Sequence, residues 1–245
     1  MAGQAHLIEV DDRAAEWMLL VEVAQAVPSE RWVLVGGLMV HAHAIRAGMD
    51  PVRHTSDLDV LIDITAARIS EVAGPLQAAG FEALEPTGSG PFHRFKREHD
   101  IVDVMVPSTA SDAFRWRGRG VLRSPGAKQA LERRDHYTVT GRSGGASVVV
   151  DVPDSTGAIV AKAAAYTVDT RDRERHLEDL VVLLAAASRR DLGPILSRRD
   201  RQHLRPALER LTDVNDPWWA QLDTREVSFA RASFDHLTQL VNAHG

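Results

Sequence analysis

Apolar residues follow both helical and strand spacing in the first 152 residues. Trp17, Leu20 and Ala24 recur at helical spacing and predict a first helix over 12–26. Further helices are predicted over 38–47 and over 65–79, where Gly80 ends the second. Short apolar or alternating stretches predict strands, which are 32–35, 57–62, 92–96, 101–106, 137–140 and 147–152. The first part of the chain therefore combines strands and helices.

After Pro153 the strand signals stop and the apolar positions keep helical spacing. Leu177, Leu180 and Leu184 form one stripe, and further helices are predicted around 200–211 and 226–242. No internal repeat occurs, and the glycine- and serine-rich pieces are only loop-sized. We therefore predict an α+β fold. Residues 1–152 would form a mixed β-sheet core flanked by helices, and residues 153–245 a helical region packed on it.

Composition excludes several classes of protein. The chain is 44% hydrophobic and 26% charged, which is typical of a globular protein. It has no cysteine, so disulfides, thiol nucleophiles and cysteine-ligated metals are excluded. No stretch reaches the roughly 18 apolar residues of a membrane span, and no secretory leader is recognisable. We therefore expect a cytoplasmic protein that does not enter a membrane.

Charge limits how the protein could bind nucleic acid. The net charge is −5, so any site for a polyanion must be a local patch. Residues 114–119 interleave aromatic side chains with arginine, which suits contacts with bases and phosphates, although a solvated loop has the same composition. Arginine supplies nearly all the positive charge, and the lysines are Lys96, Lys128 and Lys162. Each lysine is therefore conspicuous.

Three aspartates lie within predicted strands. Strand side chains alternate, so Asp57 and Asp59 share one face of the strand 57–62. In the predicted strand 101–106, Asp103 shares a face with Ile101 and Met105. Burying unpaired carboxylates costs about several kcal/mol, so these acids need a counter-charge. Mg²⁺, a hard cation with oxygen ligands, fits best, although a single strand aspartate is more often half of an ion pair.

A glycine pair lies between the strand 32–35 and the helix that follows it. Backbone N–H groups of Gly36 and Gly37, together with the helix N-terminus, are suited to binding phosphate. A glycine pair alone is a common turn. Here the glycine pair indicates a phosphate site only in combination with the aspartates that follow it in the sequence.

These segments together resemble a known family. Val33-Leu34-Val35-Gly36-Gly37 and Arg53-His54-Thr55-Ser56-Asp57-Leu58-Asp59 are similar to the glycine motif and the R-x-T-x-D-[LI]-D motif of the nucleotidyltransferase superfamily, in its AbiEii/MenT-like toxin branch. Asp103 resembles the third carboxylate of the superfamily. Lys162-Ala-Ala-Ala165 and the segment from Arg175 to Leu180 resemble two further motifs of the branch. The resemblance covers roughly residues 30–185.

The chain departs from the pattern at three points. Nineteen residues separate Gly37 from Asp57, which is longer than the compact motif. Leu38 stands where many members have serine or threonine, so a hydroxyl contact to phosphate is lost. His176 stands where the branch often has aspartate.

The resemblance implies a nucleotidyltransferase-like core and a magnesium-dependent enzyme. It would transfer a nucleoside monophosphate from an NTP to the 3′ end of a tRNA or another RNA, as the toxin of a toxin–antitoxin pair with a cognate antitoxin. Two Mg²⁺ ions would be held by Asp57, Asp59 and Asp103. Lys162 would neutralise triphosphate charge as a fourth catalytic residue. The implied substrate-binding residues are Gly36, Gly37, Arg53, Thr55, Ser56 and Asp179.

Other interpretations of the acceptor, the activity and the roles of single residues are also compatible with the sequence. The acceptor could be an antibiotic-like small molecule or a protein hydroxyl, or the chain could be a catalytically silent nucleotide-binding protein of the same fold. Lys162 could lie along a helix surface with its charge in solvent. Asp179 could form a surface pair with Arg175, four residues earlier. Zinc binding by His41 and His43 is disfavoured, because residues two apart on a helix face different ways.

Overall fold

The computed structural model describes residues 3–50, 55–86, 88–193 and 195–243. The helices are α1 (Ala15–Ala26), α2 (Gly36–Arg46), α3 (Ile69–Ala78), α4 (Ala127–Glu132), α5 (Ser155–Val168), α6 (Arg173–Ala186), α7 (Arg198–Arg210) and α8 (Thr224–Asn242). The strands are β1 (Ala5–Val10), β2 (Trp32–Val35), β3 (Asp57–Ile62), β4 (Glu82–Ala83), β5 (Arg94–Arg97), β6 (Asp100–Pro107), β7 (Arg115–Trp116), β8 (Arg119–Gly120), β9 (Arg123–Ser124), β10 (Arg134–Gly141) and β11 (Ser147–Pro153). The predicted α+β class is confirmed.

The larger sheet has the strand order β2-β3-β6-β5-β4, and β9 pairs with the end of β6. β3 and β6 are parallel neighbours, whereas β2 and β5 pair with them antiparallel. Val102, Val104 and Val106 are buried on one face of β6. Residues 101, 103 and 105 are partly accessible on the other face. The predicted division of this strand into two faces is confirmed.

The smaller sheet has the strand order β1-β10-β11. β10 and β11, which contain the predicted strands 137–140 and 147–152, pair antiparallel, and β1 pairs with β10 in parallel. β1 is not among the predicted strands. Its Ile8 and Val10 are buried while Leu7 is exposed, as expected for a strand with one covered face. β11 lies against β2, so the two sheets share the protein interior.

Several predicted helices begin at different residues in the structure, and α1, predicted from residue 12, begins at Ala15. α2 already begins at Gly36, so the glycine pair forms the first turn of the helix instead of a loop before it. α3 begins at Ile69, four residues later than predicted. The delay arises because the Asp63 carboxylate accepts hydrogen bonds from both the backbone N–H and the hydroxyl of Thr65, at 2.9 and 2.6 Å. That turn occupies the residues before the helix.

The helices after Pro153 pack on the sheets and on each other. α5 packs on α6, α6 packs on α8, and α2 contacts α6. One hydrophobic core includes Trp32 and Leu34 from the first part of the chain and Leu180 and Leu183 from the second. Among the described residues no strand follows Pro153, as predicted. The division into two domains at residue 152 stays a prediction.

Within the described ranges, no helix combines the length and the apolar character needed to cross a bilayer.

Candidate active site

The structure brings the three strand aspartates together on one face of the larger sheet. In the parallel pairing of β3 with β6, Asp59 lies directly opposite Asp103. Asp57 lies two residues before Asp59 and therefore on the same face. Side chains of directly paired residues on neighbouring strands are close enough to interact. Three carboxyl groups thus share a small area of the sheet.

Arg94 binds two of these three acids. β5 pairs antiparallel with β6 and places Arg94 directly opposite Asp103. The arginine Nε and Nη2 donate to the two Asp103 carboxylate oxygens, both at 2.7 Å. Nη2 also lies 3.4 Å from Asp57 Oδ2. The bond to Asp103 raises the pKa of Arg94 further above its ordinary value, so the guanidinium stays a fixed cation among the acids.

Gly36 allows helix α2 to begin against Asp59. Val35 pairs with Asp59 across β2 and β3, and the chain turns into α2 at the next residue. Gly36 has a φ of +71°, and a Cβ added there would overlap the Asp59 carboxylate. Only glycine fits both the left-handed backbone and the close approach. The N-terminus of α2 therefore lies beside Asp59.

The Asp59 carboxyl group binds its proton more tightly than an ordinary aspartate. Surrounding protein atoms shield it from water and raise its pKa to about 6. The nearby charges of Lys162 and Arg175 lower the pKa, and Asp103 and Asp57 raise it, without cancelling the effect of burial. Asp59 therefore lies among charges of both signs.

A cavity of about 660 Å³ opens beside Asp59. This volume lies within the roughly 300–1,000 Å³ typical of small-molecule sites. Its walls come from both parts of the chain: Gly36 and Met39 of α2, Asp59 and Leu61 of β3, Met105 of β6, Ala127 and Ala130 of α4, Lys162 and Ala165 of α5, and Arg175 and His176 of α6. Folding therefore brings Asp59 of the sheet and the helical region together around one cavity.

Lys162 lies at this cavity and forms a buried ion pair. Its Nζ donates to Asp179 Oδ2 at 2.6 Å, linking α5 to α6. Only 6% of the Lys162 side chain and 5% of the Asp179 side chain are exposed. A lysine whose charge extends into solvent and an aspartate on the helix surface are therefore both ruled out. The two residues singled out by the resemblance are partners.

The remaining candidates lie around the start of β3 and the start of α2. The Ser56 hydroxyl donates to Asp57 Oδ1 at 2.8 Å, which helps to orient that carboxylate. Thr55 is buried, as is Gly37 in the first turn of α2. Arg53 lies outside the described residues.

His176, at the position that departs from the family pattern, also lies at the cavity. Its Nε2 is 3.0 Å from Asp169 Oδ2, and burial lowers the pKa of the imidazole. Both ring nitrogens of His43 have hydrogen-bond partners within the protein, which does not suit metal binding. It bonds the Pro153 carbonyl and the Tyr137 hydroxyl at 2.9 and 3.3 Å, and burial lowers its pKa to about 3.

The oxygen donors at the site fit one divalent cation better than two. Asp57 and Asp59 offer carboxylates on one strand face, the chemistry that Mg²⁺ prefers. Within the described part of the chain, Asp57 accepts only from the Ser56 hydroxyl and, at a longer 3.4 Å, from Arg94. Both oxygens of Asp103 already accept hydrogen bonds from Arg94. Among the described residues, no group of three or more histidine, aspartate or glutamate side chains is arranged to hold a metal ion.

Comparison with known proteins supports the fold. No family model and no curated protein sequence matches the chain. A solved structure, of an antigenic nucleotidyltransferase-like protein from Paracoccidioides brasiliensis, matches with a TM-score of 0.50 at 16% identity. The match covers 87% of this chain and 97% of the other. The chain has a nucleotidyltransferase-like fold. At this identity the match concerns the architecture alone, and the toxin branch stays a hypothesis from the sequence motifs.

Sequence reasoning missed Arg94 and left Arg175 open between a surface pair with Asp179 and a site role. A signal for Arg94 was present, because a turn at Glu98–His99 joins β5 to β6. Counting back from that turn pairs Arg97 with Asp100 and then Arg94 with Asp103. No comparable signal places Arg175 at the same cavity as Asp59, because that position depends on how α6 packs against the sheet.

Proposed function

We propose that this protein transfers a nucleoside monophosphate from an NTP to an acceptor hydroxyl. One observation supports this proposal above the others. The cavity beside Asp59 also contains Lys162 and the N-terminus of α2, so a carboxylate that suits a metal ion faces groups that suit a triphosphate. A catalytically silent protein of the same fold has no need for this combination.

Each side of the cavity has a role in the proposed reaction. Asp57 and Asp59 would hold Mg²⁺, which when bound neutralises charge on the triphosphate. Backbone N–H groups at the start of α2, with Lys162 and Arg175, would orient the phosphates. The acceptor oxygen forms a bond to the α-phosphorus as the bond from that phosphorus to the bridging oxygen breaks. Pyrophosphate leaves, and the hydroxyl proton passes to solvent.

Cationic side chains around the cavity favour an anionic acceptor. Besides Lys162, the lining includes Arg123, Arg171 and Arg175. A second groove of about 370 Å³ shares Pro91, Leu122 and Arg123 with the cavity and also contains Phe114 and Arg115. Aromatic and arginine side chains suit single-stranded RNA, whereas an antibiotic with positive charge would be repelled.

The proposed acceptor is therefore RNA, and the resemblance in the sequence narrows it to the 3′ end of tRNA. The same resemblance supports a role as the toxin of a toxin–antitoxin pair, with a cognate antitoxin as protein partner. These finer assignments depend on the motifs around Asp57, Lys162 and Asp179.

The test is a transfer assay with purified protein. The protein is incubated with Mg²⁺, total tRNA and each α-³²P-labelled NTP in turn, and the label in RNA is measured. We expect one NTP to give labelled RNA, and Asp57→Asn and Asp59→Asn each to abolish the label. Asp235→Asn is the matched control, because Asp235 is exposed on α8. It should retain full transfer.

Two other outcomes would change the proposal. A folded protein that binds NTP without labelling RNA would move the acceptor to a small molecule or a protein. A folded protein that binds no NTP in the presence of Mg²⁺ would contradict nucleotidyl transfer itself.

A further inference from the structure

Arg94 lies where a second metal ion would be expected between the carboxylates. It reaches from β5 across the face of the sheet to β6 and β3, with its bidentate contact to Asp103 and its longer contact to Asp57. The side chain is 33% exposed, and that of Asp103 only 13%. The ion pair is therefore sheltered, and the strand pairing holds both residues opposite each other.

The chemistry of this ion pair differs from that of an open metal site. A bidentate arginine–carboxylate pair uses both carboxylate oxygens and is among the stronger hydrogen-bonded arrangements in proteins. A metal ion that used Asp103 would have to displace the guanidinium. It would then lie close to a permanent positive charge that opposes it.

We propose that Arg94 takes the place of the second metal ion. The site then binds one divalent cation, on Asp57 and Asp59, and Asp103 serves to position Arg94 instead of binding metal. This inference builds on the proposed function and replaces the two ions expected from the sequence with one ion and one arginine. Arg94 acts here as a positioning residue and a fixed counter-charge.

The experiment counts bound metal without any substrate. Mn²⁺ alone is titrated into the full chain, and free Mn²⁺ is measured by electron paramagnetic resonance. We expect the wild type to bind one Mn²⁺ per chain and Asp59→Asn to lose it. Arg94→Gln should bind Mn²⁺ at least about tenfold more tightly, or bind a second ion, because a positive charge is removed and Asp103 is released.

A double variant separates the two roles of Asp103. Arg94→Gln/Asp103→Asn removes one positive and one negative charge together, so the net charge of the site is unchanged and the variant should bind one Mn²⁺ within about threefold of the wild-type affinity. It also keeps the test valid if Arg94→Gln alone fails to fold. Arg97→Gln is the matched control, since Arg97 lies on the same strand but binds Glu22 and Asp100 instead.

Several results would overturn the inference. These are two Mn²⁺ ions or none on the wild type, no difference between Arg94→Gln and Arg97→Gln, or loss of Mn²⁺ from the double variant as complete as that from Asp59→Asn. Because no nucleotide or acceptor is present, the metal count stands whether or not the transfer assay succeeds.

Discussion

Replacing Gly36 by alanine tests the close approach of helix α2 to Asp59. Gly36 has a φ of +71°, and the left-handed backbone costs an alanine about 1–2 kcal/mol. The added Cβ also overlaps the Asp59 carboxylate. Forcing extra atoms into packed protein adds about 1–3 kcal/mol. We therefore expect Gly36→Ala to lower the free energy of unfolding by about 2–5 kcal/mol.

A second glycine separates the two contributions. Gly48 also has a positive φ, +74°, but a Cβ there would meet nothing within 4 Å. Gly48→Ala should therefore cost only the backbone contribution, about 1–2 kcal/mol. The measurement is urea unfolding followed by circular dichroism, with the free energy extrapolated linearly to water.

The overlap can also be removed from the other side. In an Asp59→Gly background the whole side chain is absent, including the Cβ that would lie 2.6 Å from the added one, so the cost of Gly36→Ala should fall to that of Gly48→Ala. Equal costs for the two glycine substitutions in the wild-type background would refute the reasoning. So would a cost for Gly36→Ala that does not change when Asp59 is replaced.

Three further predictions concern buried charges. Lys162→Met should lower the free energy of unfolding by about 3–5 kcal/mol, because it leaves Asp179 buried without its lysine. The same substitution at Lys128, an exposed lysine paired with Glu132, should lower the free energy of unfolding by at most about 1 kcal/mol. Equal losses for Lys162→Met and Lys128→Met would contradict the burial argument. Since the pKa of Asp59 is raised from 3.8 to about 6, its protonated form favours folding, and stability should fall as pH rises from about 4 to 6 without metal. In Asp59→Asn, the midpoint of urea unfolding should no longer fall between about pH 4 and 6. The pH dependence of stability that His43 contributes has the opposite sign. Its pKa is lowered from 6.5 to about 3, so stability is lost as pH falls below about 6.5. An acid-unfolding profile that His43→Gln leaves as steep as the wild type would exclude this role.

Local patterns in the sequence were sufficient for the elements that hold the acids. Alternation alone placed Asp57 and Asp59 on one strand face and separated Asp103 from the buried valines of β6. β1 was not predicted because it lies at the edge of the smaller sheet. Its partner β10 is far away in the sequence, so no turn links them.

Contacts between elements that are distant in the sequence could not be predicted from the periodicity of apolar residues. The pairing of Lys162 with Asp179, and the position of Lys162 at the cavity, depend on how α5 and α6 pack against the sheet. The scarcity of lysine drew attention to Lys162, and the resemblance of the motifs drew attention to both residues. Arg94 is an intermediate case, because the turn before β6 fixes its register although no single pattern marks it.

The cavity draws its walls from early and late parts of the chain, and this has a consequence for synthesis on the ribosome. Translation delivers Gly36 and Asp59 first, and Lys162 and Arg175 only after most of the chain has emerged. A nascent or shortened chain that ends before α5 has the acids but lacks Lys162 and Arg175. The proposed activity can therefore arise only once the helical region has been made and has packed onto the sheet.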